Sequence, residues 1–127
     1  MGASTENAHK ILDEIVDKCE ADIKSRNLPP REALKIIGSN ISRAQFTFEN
    51  NHSTYAEALF SKKFDCDQFA ITYLTVCRRL KLPVYAVLMP QHMAIVWDDR
   101  DNVVLWETTI NAEKDSSDYI KDFHIQS

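Results

Sequence analysis

Glycine is nearly absent from this chain: the 127 residues contain two, Gly2 and Gly38. A loop that cradles phosphates needs several glycines so that backbone N–H groups can approach the anion, so Walker and dinucleotide-binding loops are excluded. Cysteine is also scarce. Cys19, Cys66 and Cys77 are odd in number and widely spaced, with no C-x-x-C pair. Neither a disulfide framework nor a cysteine-rich zinc site follows from that pattern. No apolar run has the length of a membrane span, and the first residues lack the charged-then-apolar form of a secretion signal. The expectation is a soluble chain, cytoplasmic in preference, with no membrane partner. Met1-Gly2 has the form of an expression start, which leaves a removed secretion signal open. Positive charge is in deficit, 15 Lys and Arg against 19 Asp and Glu, a net −4. The cations are scattered, with no aromatic-flanked basic stripe, which argues against nucleic acid as a partner.

What is present suits one domain with a real core: 44% hydrophobic and 27% charged residues over this length. The first half has helical periodicity. Ala8, Ile11, Leu12, Ile15, Val16, Cys19 and Ile23 recur at three- and four-residue steps between about Thr5 and Ser25. Asn27-Leu28-Pro29-Pro30 breaks that helix, and Pro30 suits the start of a second one carrying Ala33, Leu34, Ile36, Ile37 and Ile41. Ser53 is placed to cap a short third helix from Thr54 to Phe60. A fourth helix is the most strongly specified. Asp65 and Gln68 form a capping-box pair, and Phe64 and Phe69 have the spacing of a hydrophobic staple. Phe69, Tyr73, Cys77 and Leu80 continue its buried face, and Cys66 falls on that face at the N-terminal end.

After Pro83 the period changes. Val84–Met89, Met93–Trp97 and Val103–Trp106 are rich in β-branched and aromatic residues and are predicted as strands, with a turn at Asp98–Asn102. The fold class is α+β, a helical N-terminal half packed on a small antiparallel sheet. One domain divides into a helical part (1–52), a core (53–110) and a polar tail (111–127) with one helical turn over Asp118–Phe123.

The chemistry lies in three residues. A thiol is a poor nucleophile until it loses its proton, and a helix N-terminus and a neighbouring histidinium both favour the thiolate. Cys66 opens a helix, although Asp65 and Asp67 oppose its ionisation. His92 opens an apolar strand and Glu107 closes the next. In a hairpin centred between Asp99 and Arg100, Trp97 faces Asn102, Val96 faces Val103, Ala94 faces Leu105 and His92 faces Glu107. Such partners lie about 4.5–5.5 Å apart at Cβ. A one-residue slip would remove the carboxylate from His92. Trp97 and Trp106 fall on the other face, under the helices. Cys77 is too far along the helix to bridge to Cys66, and is core, as is Cys19.

Asp65-Cys66-Asp67-Gln68-Phe69-Ala70, Arg79-Leu80-Lys81-Leu82-Pro83-Val84, His92 and Trp106-Glu107-Thr108-Thr109 together resemble the transglutaminase-like (papain-related) cysteine hydrolase superfamily. The likeness covers about residues 55–110. It implies a transglutaminase-like core with the nucleophile at a helix N-terminus, Cys66 as nucleophile, His92 as general base and acid, and Glu107 orienting His92. The third member in that family is more often Asp. The implied reaction is acyl transfer through a Cys66 thioester on a peptide or protein substrate, with no cofactor or metal. The Cys66 N–H would supply part of the oxyanion stabilisation. For a second donor, Tyr55 and an asparagine near Asn50 are candidates. Two other classes compete: a catalytically silent protein- or peptide-binding module on the same scaffold, and a metal site built from Cys66, Asp67, His92 and Glu107.

Overall fold

Among the described residues four helices form, because four stretches carry one apolar stripe each and end at identifiable stops. The computed structural model describes residues 5–115. In chain order the elements are α1 (Thr5–Ile23), α2 (Pro30–Arg43), β1 (Thr47–Phe48), α3 (Tyr55–Ser61), β2 (Lys63–Phe64), α4 (Cys66–Arg79), β3 (Val84–Met89), β4 (His92–Asp98), β5 (Val103–Glu107) and β6 (Ala112–Glu113). The α+β class expected from the sequence is the one observed. Ala8, Ile15, Val16, Cys19 and Ile23 of α1 and Ala33, Leu34, Ile37 and Ile41 of α2 are buried. They share one core with Phe69, Ala70, Tyr73, Val76 and Cys77 of α4.

The helix ends follow local chemistry. Thr54, rather than Ser53, caps α3: its hydroxyl accepts from Glu57 N–H at 3.2 Å while the Glu57 carboxylate accepts from Thr54 N–H at 3.0 Å. The glutamate three residues on makes Thr54 the better cap, because the bond is reciprocal. At the end of α4, Lys81 takes φ 57°. Leu82 N–H donates to Cys77 C=O at 2.8 Å and Lys81 N–H to Arg78 C=O at 3.2 Å. This double bond around a left-handed residue is a Schellman stop, so α4 finishes ahead of Pro83. With so little glycine, the left-handed corners fall to other residues, among them Lys62, Gln91, Arg100 and Asn111.

The main sheet has the order β3-β4-β5-β6, antiparallel throughout; β1 and β2 form a separate parallel pair. Val84, Ile95, Trp97, Val104 and Trp106 face the helices and join the core, the two tryptophans as expected. The opposite face leaves Tyr85 and Val103 exposed. β6 was not legible beforehand; the first residues of the expected tail pair with β5 through Trp106–Glu113 and Glu107–Ala112. The helical turn expected at Asp118–Phe123 lies outside the described residues.

The β4–β5 register differs from the expected one. Val96 pairs with Leu105, Trp97 with Val104 and Asp98 with Val103, a shift of two residues. The cause is the turn. Asp99 Oδ1 accepts the N–H groups of Asp101 and Asn102, Asp98 Oδ1 accepts that of Arg100, and Arg100 adopts φ 78°. These bonds move the centre of the turn one residue later and lengthen β4 to Asp98. A shift of two preserves which side chains share a face, whereas a shift of one would have inverted them.

Candidate active site

α4 begins at Cys66 because its first turn is closed from both sides. Asp65 Oδ1 accepts from Gln68 N–H and Gln68 Oε1 accepts from Asp65 N–H, both at 2.9 Å. The same glutamine donates through Nε2 to Ser53 C=O at 2.9 Å, tying the preceding loop to the helix start. Phe64 is fully buried and meets Phe69 edge-on at 5.3 Å, while Phe46 and Tyr55 stack on it. Cys66 is thereby held half-buried at the first helical position. The cap consumes the Gln68 N–H and leaves that of Cys66 facing outward from the helix start.

β4 starts immediately after a two-residue turn, Pro90-Gln91, with Gln91 at φ 58°. Pro followed by a left-handed residue is the pattern of a type II turn. It puts His92 at the very end of the sheet. There the in-out alternation stops: Ala94 and Ile95 are both fully buried, as are Trp106, Glu107 and Thr108 nearly so. His92 Nε2 and Glu107 Oε2 are 2.5 Å apart, with both side chains almost entirely enclosed. The second carboxylate oxygen, Oε1, accepts from the Thr109 hydroxyl at 3.2 Å and faces its N–H at 3.5 Å.

α4, which Cys66 opens, packs against β4, which His92 opens. Burial pushes the Cys66 thiol up; the Met93 backbone N–H pulls in the other direction, and Asp67 and Asp65 add to the rise. The thiol also sits 3.6 Å from Asp67 Oδ1. The resting sulfur is therefore held as a thiol. Cys19 and Cys77 are buried and free, and burial raises both, Cys77 to about 12.

The structure thus joins His92 to Glu107 and packs the helix that Cys66 opens against the strand that His92 opens. Tyr55 is not available as an oxyanion donor. Thr72 spends its hydroxyl proton on Gln68 C=O, so the 2.6 Å contact between Tyr55 Oη and Thr72 Oγ1 uses the phenol proton. Asn51, the asparagine beside Asn50, donates to Glu49 C=O and Lys63 C=O. Among the described residues no group of three or more His, Cys, Asp or Glu side chains is placed to hold a metal ion. No helix among them is long and apolar enough to cross a membrane.

Sequence reasoning assigned no role to Thr109 or Asn111. Asn111 stood at the head of the polar tail; its signal was the tolerance of asparagine for a left-handed corner. A groove of about 550 Å³ has Lys35, Phe48, Phe69, Thr109 and Ile110 in its wall; Cys66, His92 and Glu107 do not line it. Phe69 lies one helical turn from Cys66, and Thr109 two residues from Glu107.

The sequence profile of the transglutaminase-like superfamily matches residues 6–115, and the chain belongs to that superfamily. Its members typically carry out cysteine-based acyl transfer or hydrolysis, and some are inactive. No curated protein and no solved structure matches the chain.

Proposed function

We propose that the chain is a cysteine-dependent acyl-transfer enzyme acting on the amides of peptides or proteins, with Cys66 as nucleophile, His92 as general base and acid, and Glu107 as the orienter of His92. The observation that carries this reading is the enclosed His92–Glu107 hydrogen bond at the start of β4, the strand against which α4, the helix opened by Cys66, is packed. Burying an ionisable pair costs desolvation energy, and a scaffold used only for binding gains nothing from that cost.

The bond to Glu107 uses Nε2, and we assign to Nδ1 the exchange of a proton with the Cys66 thiol. A thiol whose ionisation is opposed by burial and by two aspartates depends on such a base. Nδ1 takes the proton as the sulfur attacks the carbonyl carbon, and the C=O π electrons move to oxygen. The Cys66 N–H at the helix start donates to that oxyanion, with the helix dipole behind it. On collapse the C–N bond breaks and the amine leaves with the proton from the imidazolium. The acyl group remains on sulfur as a thioester. Water or an amine, deprotonated by Nδ1, attacks the thioester, and the thiol regains its proton. Glu107 holds the ring through both transfers. The groove that begins at Thr108, the residue after Glu107, has exposed Phe48 and Ile110 in its wall and suits apolar side chains of an extended substrate.

The test is incubation of the full chain with p-nitrophenyl acetate, followed by mass spectrometry of the trapped acyl-enzyme. Acetyl on Cys66, absent from Cys66→Ser and strongly reduced in His92→Ala, supports the assignment. Acetylation that ignores both substitutions overturns it.

A further inference from the structure

Glu107 ends a strand and precedes the turn Thr108–Asn111, so something must fix that turn for the carboxylate to keep its direction. Asn111 does so from three sides. Its Oδ1 accepts from Tyr73 Oη at 2.7 Å and from Trp106 Nε1 at 3.2 Å, and its Nδ2 donates to Lys35 C=O at 3.2 Å. Its own carbonyl accepts from Lys35 Nζ at 2.8 Å. The side chain thus spans α2, α4 and β5, using three of its four hydrogen-bonding positions. Its backbone is left-handed, φ 51°, which asparagine tolerates better than other side-chain-bearing residues.

The seat for this amide is Gly38, in the interior of α2. A Cβ at that position would lie 2.0 Å from Asn111 Oδ1 and 2.1 Å from Tyr73 Oη. Glycine weakens a helix interior, so its presence there corresponds to the space the amide and phenol require. From Asn111 the turn runs back two residues to Thr109, whose hydroxyl and N–H both face Glu107 Oε1. Fixing Oε1 leaves Oε2 aimed at His92 Nε2.

We propose that Thr109 and Asn111 are positioning residues for Glu107: Asn111, seated on Gly38, clamps the turn, and Thr109 holds the carboxylate oxygen that does not serve His92. This rests on the reading of Glu107 as the orienter of His92. Neither residue touches a reacting atom. The role is one of aim, of the kind that supporting hydrogen bonds have around ligating and catalytic side chains.

The test uses the full chain with Thr109→Val, Thr109→Ser and Asn111→Gly. The readouts are the proton NMR resonance of His92 Nε2–H and the rate of Cys66 alkylation by iodoacetamide, with thermal melting alongside. Thr109→Val is expected to move the resonance upfield and to slow alkylation about tenfold, the factor carried by one hydrogen bond to a charged group. Thr109→Ser restores both; a lower melting temperature in Thr109→Val with the resonance and the rate unmoved would mark a merely structural role. Asn111→Gly keeps the left-handed corner, removes the clamp and moves the same resonance. Should it fail to fold, the Thr109 pair still decides. An unchanged resonance and rate in Thr109→Val overturn the proposal. The resonance needs no turnover: if it shifts as expected while no acyl-enzyme forms on the parent protein, the positioning role stands and the enzymatic reading fails.

Discussion

His92 and Glu107 are joined by a 2.5 Å hydrogen bond although they are not cross-strand partners. The register that pairs Ile95 with Trp106 sets Glu107 opposite Ala94, two residues from His92. Diagonal neighbours on a sheet face lie about 7–8 Å apart, rather than the roughly 5 Å of direct partners. The extra methylene of glutamate covers part of that difference.

Glu107→Asp is therefore a severe substitution here, even though it keeps the carboxylate. The shortened carboxylate is expected to lose both His92 and Thr109. The loss of a hydrogen bond to a charged group is about 1.5–3 kcal/mol, a fall in acyl-enzyme formation of roughly 10- to 100-fold. Glu107→Gln keeps the length and is expected to retain more activity than Glu107→Asp. Acetylation rates from p-nitrophenyl acetate rank the two variants; the opposite order would mean that charge, and not reach, dominates.

The thiol makes a second prediction. Burial, Asp67 and Asp65 all raise the Cys66 thiol, and the Met93 N–H only partly offsets them. Alkylation by iodoacetamide, which reads the thiolate, is expected to climb through the range where a free thiol has already reached its plateau. Asp67→Asn removes an anion and weakens the contact that favours the protonated sulfur. Both changes make the thiolate cheaper, so the pH profile moves to lower pH and labelling at neutral pH becomes several-fold faster. A profile that does not move, measured by mass spectrometry of Cys66 across pH 6–10, would exclude Asp67 as a control on the thiol. Cys19 and Cys77 serve as internal references, since both are buried and stay unlabelled in the native fold.

Much of this geometry was legible in the sequence because it is local. The capping box of Asp65 and Gln68, the Phe64–Phe69 staple and the placement of Cys66 at the first helical position depend on residues at most five apart. The face of β4 and β5 was legible too, since strand parity survives a shift of two. What was not legible depends on contacts between distant segments. The β4–β5 register was decided by side-chain bonds of Asp98 and Asp99 to the turn backbone, which a symmetric hairpin does not contain. β6 has two residues and no hydrophobic period to announce it. The partner of Tyr55 is a threonine seventeen positions away, and the partners of Asn111 come from α2, α4 and β5.

Thr108 gives a prediction about stability alone. It is 2% exposed and its hydroxyl has no hydrogen-bond partner among the described residues. An unpaired buried hydroxyl costs about 1–3 kcal/mol relative to a satisfied one. Valine has nearly the same shape and no polar atom to leave unpaired. Thr108→Val is expected to stabilise by about 1 kcal/mol, raising the melting temperature by roughly 4 °C for a chain of this size. A destabilisation of similar size in a thermal or urea melt would show that the hydroxyl has a partner after all.

Gly38 supplies the sharpest contrast between local and tertiary preference. Glycine to alanine in a helix interior ordinarily gains about 1 kcal/mol. Here the new methyl group would meet Asn111 Oδ1 at 2.0 Å and Tyr73 Oη at 2.1 Å, far inside contact distance. Neither atom is the free end of a flexible chain. Asn111 is held from three elements, and Tyr73 is fully buried, with burial holding its phenol strongly toward the neutral donor form that Asn111 requires. Overpacking of this kind costs about 1–3 kcal/mol and overtakes the helical gain. Gly38→Ala is expected to destabilise by about 2 kcal/mol, seen as a melting temperature lowered by roughly 8 °C. Because the displaced side chain is the one that clamps the Thr108–Asn111 turn, the same substitution is expected to slow Cys66 alkylation at temperatures where the fold is intact. An alanine variant as stable as the parent would mean that α2 and the turn separate at little cost, and the carboxylate would then need another support.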